Sequence, residues 1–254
     1  MKNVLVLIPA RYESSRFPGK PLVKVQGKTL IEHVYDNFAA TFETCVVTNN
    51  EEIAGVINQQ NGKVLMVNDE VRTGTERVWL AYERFYKKHK NEIKLIILVQ
   101  GDEPLLKAHD VLPLAKQHLS ENRLMSTFVR QRSFKDHWKD YKNPNIVKAI
   151  WSENTNVCSY FSRSPIPFCR QENAEKTSLK WHQHIGVYLF HPSLLESLYK
   201  TPQDSLEMEE SLEQLRTLQL GVPIHAMQIN KNLIGIDTPE DLNEWKRSLR
   251  NESV

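Results

Sequence analysis

The sequence is short of glycine: nine residues in 254, about half of the ~7% usual in globular chains. A collagen-like repeat and a glycine-rich linker are excluded, and each retained glycine invites a reason. Cysteine is scarcer still. Cys45, Cys158 and Cys169 are an odd number with no C-x-x-C pair, which argues against a disulfide framework or a zinc site and for a reducing compartment. Charge excess is small, 33 basic against 31 acidic residues for a formal +2. No general attraction to nucleic acid or an anionic membrane is expected. No apolar run approaches the ~18 residues of a membrane span. Met1 to Ile8 lacks a small-x-small cleavage site and reads as a strand rather than a signal peptide, so the expected location is the cytoplasm.

What remains is a globular balance, 40% hydrophobic and 25% charged. Val4 to Ile8 and Leu95 to Val99 are continuous apolar runs, as in strands buried on both faces. Cys45–Thr48 and Val64–Val67 read as two further strands. Between them, Leu30, Ile31, Val34, Tyr35 and Phe38 recur at helical spacing, and Glu51–Gln60 and Thr75–His89 read as helices. This alternation predicts a mainly parallel sheet flanked by helices, with ligands beyond the carboxyl ends of its strands. From about Leu124 strands dominate: Ile146–Trp151, Val157–Phe161 and Ile185–Phe190, with a β-rich insertion over Asn143–Pro167 and a polar loop near 170–180. Helices return at Ser193–Tyr199 and Glu207–Leu218. The last helix starts at Thr238, with Pro239 at its first position and Asp241 three residues after the cap.

Chemistry concentrates in a few segments. Arg11, Arg16 and Lys20 lie in one loop after the first strand, with Ser14 and Ser15 as donors and Gly19 for close backbone approach. Planar guanidinium forks and a compact ammonium suit a polyphosphate. The loop is neither a Walker loop nor a G-x-G-x-x-G fingerprint. Gln100-Gly101-Asp102-Glu103-Pro104 follows the fourth strand, and Asp102 there could hold a divalent cation bridging phosphates. Asp237 is either a second metal ligand or a residue favoured near a helix start by the dipole. Thr73-Gly74-Thr75-Glu76-Arg77 opens a helix whose N–H groups could meet a nucleobase or phosphate, or simply be capped by a threonine. His184, Gly186 and Tyr188 share one strand face that could line a sugar pocket. Glu207, Glu210, Glu213 and Gln214 form either a solvated acidic face or a hydroxyl-binding edge.

Together these segments resemble the CMP-Kdo synthetases, the 3-deoxy-manno-octulosonate (Kdo) cytidylyltransferases of bacterial lipopolysaccharide synthesis. The likeness is carried by I-P-A-R-Y-x-S-S-R-F-P-G-K-P-L, T-G-T-E-R, V-Q-G-D-E-P, N-P-N-I-V-K, Y-F-S-R-S-P-I-P, H-I-G-V-Y, S-L-E-Q-L-R and D-T-P-E-D, in order along nearly the whole chain. The resemblance implies an α/β fold: a Rossmann-like, GT-A-like nucleotidyltransferase domain over residues 1–254. Its nucleotide-binding half would reach about residue 123. A β-rich insertion for sugar binding and homodimerisation would run to about 192, and the rest would return to the main fold. It implies that CTP lies against Arg11, Arg16, Lys20, Thr73, Gly74, Arg77 and Gln100. Lys20, Asp102 and Asp237 would be catalytic, with Mg²⁺ on the two aspartates. The sugar acid would lie near Arg163, His184, Tyr188, Glu213 and Gln214. Neither nucleic acid nor membrane would be a partner.

The chain also departs from the family pattern. Thr48-Asn49-Asn50 stands where Thr-Asp-Asp or Thr-Asp-His is usual, and Arg72 precedes Thr73-Gly74-Thr75 in place of Gln-Ser-Gly-Thr. Cys169 replaces a common acid and Gln183 a common arginine. The last two fall where sugar contacts are expected, leaving open an 8-amino analogue or another ulosonic acid. A non-catalytic nucleotide-binding protein is the remote alternative. Five glycines, Gly19, Gly74, Gly101, Gly186 and Gly235, fall inside these motifs, which reads as glycine kept largely where backbone must approach nucleotide, metal or sugar and predicts other than ordinary negative φ at most of them.

Overall fold

Strand β1 (Val4–Pro9) has no exposed residue, as its unbroken apolar run requires of a central strand. The computed structural model describes residues 1, 3–13, 17–89, 93–170, 173 and 176–251. The chain divides into two compact units, Met1–Ala115 with Asn232–Val254, and Lys116–Lys231.

In the first unit, a small hairpin, β2 (Lys24–Val25) and β3 (Lys28–Thr29), interrupts what reads in sequence as one long loop. Helix α1 (Leu30–Ala39) starts in a capping box between Thr29 and Glu32 and buries Leu30, Ile31, Val34 and Phe38. Then follow β4 (Glu43–Thr48), α2 (Glu51–Gln59), β5 (Val64–Met66), α3 (Gly74–Phe85) and β6 (Leu95–Leu98). The strands lie in the order β5-β4-β1-β6, all parallel. The loops carrying Arg11 and Lys20, Asn49 and Asn50, Thr73, and Gln100 and Asp102 all leave carboxyl ends of these strands.

The chain passes into the second unit within α4 (Ala108–Ser120), a helix that contains Pro113. There it forms β7 (Met125–Ser133), α5 (Trp138–Lys142), β8 (Lys148–Ser152), β9 (Val157–Ser162) and β10 (Lys180–Phe190). Helices α6 (Pro192–Lys200), α7 (Ser205–Glu210) and α8 (Gln214–Gln219) precede β11 (Ile224–Gln228). The expected helix over 207–218 is thus two, parted at Ser211, which takes a left-handed φ of 50°. Strand β10 pairs antiparallel with both β7 and β8; β8 pairs with β9, β9 with β11, and β11 runs parallel to β7. The pairings therefore close into a ring of five strands. Tyr141, Phe134 and Trp181 form an aromatic cluster beside it, with Trp138 and Cys169 packed against them. Of the polar segment 170–180, residues 171, 172, 174 and 175 lie outside the described residues.

The first unit is completed by α9 (Pro239–Asn251). Val25, Leu30, Ile236, Leu242 and Trp245 make an apolar cluster with Phe17, Val23, Leu105, Ile234 and Leu249 against it. This cluster underlies three loops that matter below, those of Lys20, Asp102 and Asp237.

Candidate active site

Gly19 takes φ 69°, a left-handed conformation that turns the chain into a single 3₁₀ turn, Lys20–Leu22. That turn aims Lys20 inward. Its Nζ donates to Asp102 Oδ2 at 2.7 Å and to Asp237 Oδ1 at 3.2 Å, with the lysine side chain 11% exposed. Burial alone would lower the ammonium's pKa, but Asp102 and then Asp237 outweigh it and hold it above the ordinary value. The Ile236 N–H donates to the Asp102 carbonyl at 2.9 Å, fastening the two aspartate loops.

Asp237 is not the helix cap. Thr238 and Asp241 cap α9 reciprocally: Asp241 Oδ2 accepts from the Thr238 N–H at 2.8 Å, and Thr238 Oγ1 accepts from the Asp241 N–H at 3.2 Å. The Asp237 carboxylate thus reaches Lys20. Asp237 stands two residues before α9, so both readings of its sequence position remain compatible with its contact to Lys20.

Glu103 was not singled out in the sequence, although a second acid in G-D-E-P was the available signal. Its Oε2 is buried and has no hydrogen-bond partner among the described residues. Burial, then Asp102 and Asp237, push its pKa up to about 8. A Cβ placed on Gly235 would stand 3.3 Å from Glu103 Oε1, so glycine there allows close approach.

Two carboxylates, Asp102 and Asp237, converge on one ammonium, and such a pair could hold a divalent cation. No group of three or more His, Cys, Asp or Glu side chains among the described residues could hold a metal. A cation at the two aspartates would take its other ligands from substrate and water, the habit of Mg²⁺ rather than of a caged metal.

Around this centre, Gly74 and Gln100 lie together. A Cβ on Gly74 would meet Pro9 Cγ at 3.3 Å and the Gln100 amide at 3.8 Å. Thr73 Oγ1 accepts from the Glu76 N–H at 3.2 Å and so acts as an N-cap. Arg77 is buried and donates to the Val67 carbonyl at 2.8 Å. Burial first, and then the charge of Arg11, lower its guanidinium pKa. Arg11 itself is exposed, and its repulsion from Arg77 would be relieved by a bound anion. Arg16, Ser14 and Ser15 lie outside the described residues. The departures here have local duties: Asn50 caps α2 by accepting from the Ile53 N–H at 2.9 Å, and Arg72 pairs with Glu76 at 2.7 Å.

The second unit gathers the other five residues. His184 is 6% exposed, bonds Thr127 Oγ1 at 3.0 Å and meets Phe161 edge-on at 4.9 Å. Burial pushes its pKa down to about 3, so it is a neutral, packed imidazole. Its ring lies 5.5 Å from that of Tyr188, whose hydroxyl donates to Gln214 Oε1 at 3.1 Å. Burial, then Glu213, raise the Tyr188 phenol, while Arg163 opposes them; both charges act on one place. The amide nitrogen of Gln214 is buried without a hydrogen-bond partner among the described residues, a donor left for a ligand.

Two readings are corrected, that of the acidic run and that of the glycines, and two substitutions are placed. The acidic run is not a solvated face: Glu207 is 1% exposed and forms a buried pair with Arg216, and Glu210 binds Ser162 and Arg163. Cys169 packs against the aromatic cluster, and Gln183 Oε1 accepts from Arg132 Nε and Nη2 at 3.0 and 2.8 Å. Both substitutions have structural partners. Finally, of the five motif glycines only Gly19 has a left-handed φ. Gly74, Gly101 and Gly235 instead permit close approach, and a Cβ on Gly186 would meet nothing within 4 Å.

Residues 5–227 match the family model described as cytidylyltransferase. The chain is 35% identical over 255 residues to the 3-deoxy-manno-octulosonate cytidylyltransferase of Parabacteroides distasonis, covering 99% of this chain and all of that one. The same-named protein of Cytophaga hutchinsonii is 37% identical over 246 residues, covering 94% and 95%. A solved structure of CMP:2-keto-3-deoxy-manno-octonic acid synthetase complexed with CTP superposes with a TM-score of 0.84 at 32% identity, covering 98% of this chain and 99% of that one.

Proposed function

The chain belongs to the cytidylyltransferase family, and from that premise we infer that it transfers a cytidylyl group from CTP to 3-deoxy-manno-octulosonate, giving CMP-Kdo and pyrophosphate. The observation that carries the reading is the Lys20–Asp102–Asp237 cluster at the carboxyl ends of a parallel sheet.

In our proposal Arg11, Arg16 and Lys20 hold the triphosphate. Gln100 and the Thr73–Gly74 turn border the cytidine, and Arg77 supports them from beneath through Val67. The anomeric oxygen of the sugar forms a bond to the α-phosphorus as the bond to the pyrophosphate oxygen breaks, in line, and the hydroxyl proton leaves to solvent. Most of the acceleration comes from positioning and charge neutralisation. Asp102 and Asp237 would hold Mg²⁺, which when bound neutralises phosphate charge and eases ionisation of the attacking hydroxyl. Lys20 orients both carboxylates.

The sugar acid is met by Arg163, Glu213, Tyr188 and Gln214, with Arg163 taking its carboxylate and the Gln214 amide donating to a hydroxyl. His184 backs the Tyr188 ring. We assign the product to lipopolysaccharide synthesis and the enzyme to the cytoplasm; no helix among the described residues is long and apolar enough to cross a membrane. A homodimer contact on the β-rich segment is supported by Phe168, whose surface is 86% exposed. The test is pyrophosphate release from CTP and Mg²⁺ with a panel of acidic sugars. Release with Kdo is expected; release only with a different acid would overturn the substrate.

A further inference from the structure

Lys148 is completely buried at the point where β8 meets β10, opposite Gln183 in the pairing. A buried ammonium is costly unless every N–H is bonded. Here all three donors are used, on the main-chain carbonyls of Asn143 at 3.0 Å, Ile146 at 2.7 Å and Arg163 at 2.5 Å. No salt bridge joins it to a carboxylate among the described residues. Burial draws its pKa down to about 8, against the pull of Glu210 and with the push of Arg163.

Arg163 is gripped from the other side by Glu210. Its main-chain N–H donates to Glu210 Oε2 at 2.8 Å and its Nε to the Glu210 carbonyl at 2.7 Å, while Ser162 Oγ donates to Glu210 Oε1 at 2.5 Å. The guanidinium also donates to the carbonyls of Pro144 at 3.1 Å and Ser211 at 3.3 Å. Among the described residues its hydrogen bonds go to neutral carbonyls, and the Glu210 carboxylate spends its oxygens on Ser162 and the Arg163 main chain. The main chain of Arg163 is fixed at both its N–H and its C=O, and its head keeps an unneutralised charge.

We propose that Lys148 and Glu210 are positioning residues for recognition of the sugar acid: they clamp the Arg163 main chain from opposite sides and hold its guanidinium ready for a carboxylate. The inference rests on the functional reading above, in which Arg163 receives that carboxylate. It gives a duty to the lysine of N-P-N-I-V-K, which the mechanism otherwise leaves unused, and to Glu210. Both clamp residues belong to the second unit, whereas the proposed nucleotide residues belong to the first.

The experiment compares Glu210→Gln, Lys148→Met and Arg163→Ala, singly and in pairs, by steady-state pyrophosphate release with CTP and Kdo and by thermal midpoint. Glu210→Gln retains volume and one acceptor but replaces a charge-assisted bond to the Arg163 N–H. The expected result is a KM for Kdo raised about tenfold or more, with the KM for CTP within twofold of wild type. In the Arg163→Ala background either substitution should add less than threefold, because its effect passes through that side chain. Lys148→Met supplies an independent reading should Glu210→Gln fold poorly. Equal rises in both KM values, effects that multiply with Arg163→Ala, or a KM for Kdo unchanged in a folded Glu210→Gln enzyme would overturn the clamp. Failure of the wild-type enzyme to turn over Kdo would instead overturn the functional reading, and the clamp with it.

Discussion

Asp102 and Asp237 are joined through a single ammonium: Lys20 Nζ donates to one at 2.7 Å and to the other at 3.2 Å. Two carboxylates from distant parts of the chain are thus held at one point before any ligand arrives. Under the proposal that these two carboxylates hold Mg²⁺, removing the charge of either should weaken the metal site and with it the chemistry. Asp102→Asn and Asp237→Asn are expected to lower turnover by two orders of magnitude or more, about 3 kcal/mol of transition-state stabilisation, with the circular dichroism spectrum retained. A variant near the wild-type rate would take that residue out of the site.

The close-approach glycines give a graded test. A Cβ on Gly101 would stand 3.2 Å from the Pro9 carbonyl and 3.3 Å from Ile31 Cδ1, neither free to retreat far. Gly101→Ala should cost about 1–3 kcal/mol of stability and displace the Asp102 loop, lowering turnover. Gly186→Ala meets open space and should change stability by no more than about 0.5 kcal/mol. Urea midpoints of the two variants decide it, and equal losses would refute the distinction.

Buried histidines set a pH dependence. Burial pushes His184 down to about 3; His118 falls to about 4 through burial and then Arg123. Both lie below the unfolded value of about 6.5. Between those values the unfolded chain binds protons that the native chain refuses. Their contribution to stability is present above pH 6.5 and is lost as pH falls, at up to about 1.4 kcal/mol per pH unit for each histidine. Urea unfolding at pH 7.5, 6 and 5 should show that decline, and a flat profile would contradict it.

The Glu207–Arg216 pair is buried on both sides, at 1% and 6% side-chain exposure. Glu207→Gln leaves the guanidinium without its counter-charge and should destabilise by about 3–5 kcal/mol. Scanning calorimetry would register a fall in Tm of many degrees. A change under two degrees would mean that Arg216 is satisfied by the Leu198 and Thr201 carbonyls alone.

The parallel half of the fold was legible because β1 and β6 are unbroken apolar runs, and the helices between them carry their own caps. β7 and the start of β10 were harder to read: Arg130, Gln131, Arg132 and Ser133, like His182 and Gln183, carry no apolar alternation, and their pairing partners are remote in sequence. Helix α4 hides behind Pro113. Ser211 ends α7 by a left-handed backbone that no glycine announces. At the site, the motifs located Lys20, Asp102 and Asp237. That the lysine lies between the aspartates is a tertiary fact, since a cationic loop after a strand reads equally well as a phosphate grip. The clamp on Arg163 was invisible for the same reason: three of its bonds end on main-chain carbonyls.

The first unit is discontinuous, with Asn232–Val254 returning to Met1–Ala115. This orders events at the ribosome. A nascent chain that has emerged only through its first 115 residues carries Lys20 and Asp102 but lacks Asp237, as well as the Trp245 side of the cluster beneath them. Translation must traverse the entire intervening segment before the two aspartates can meet. An abortive product truncated anywhere in that segment would lack the second carboxylate.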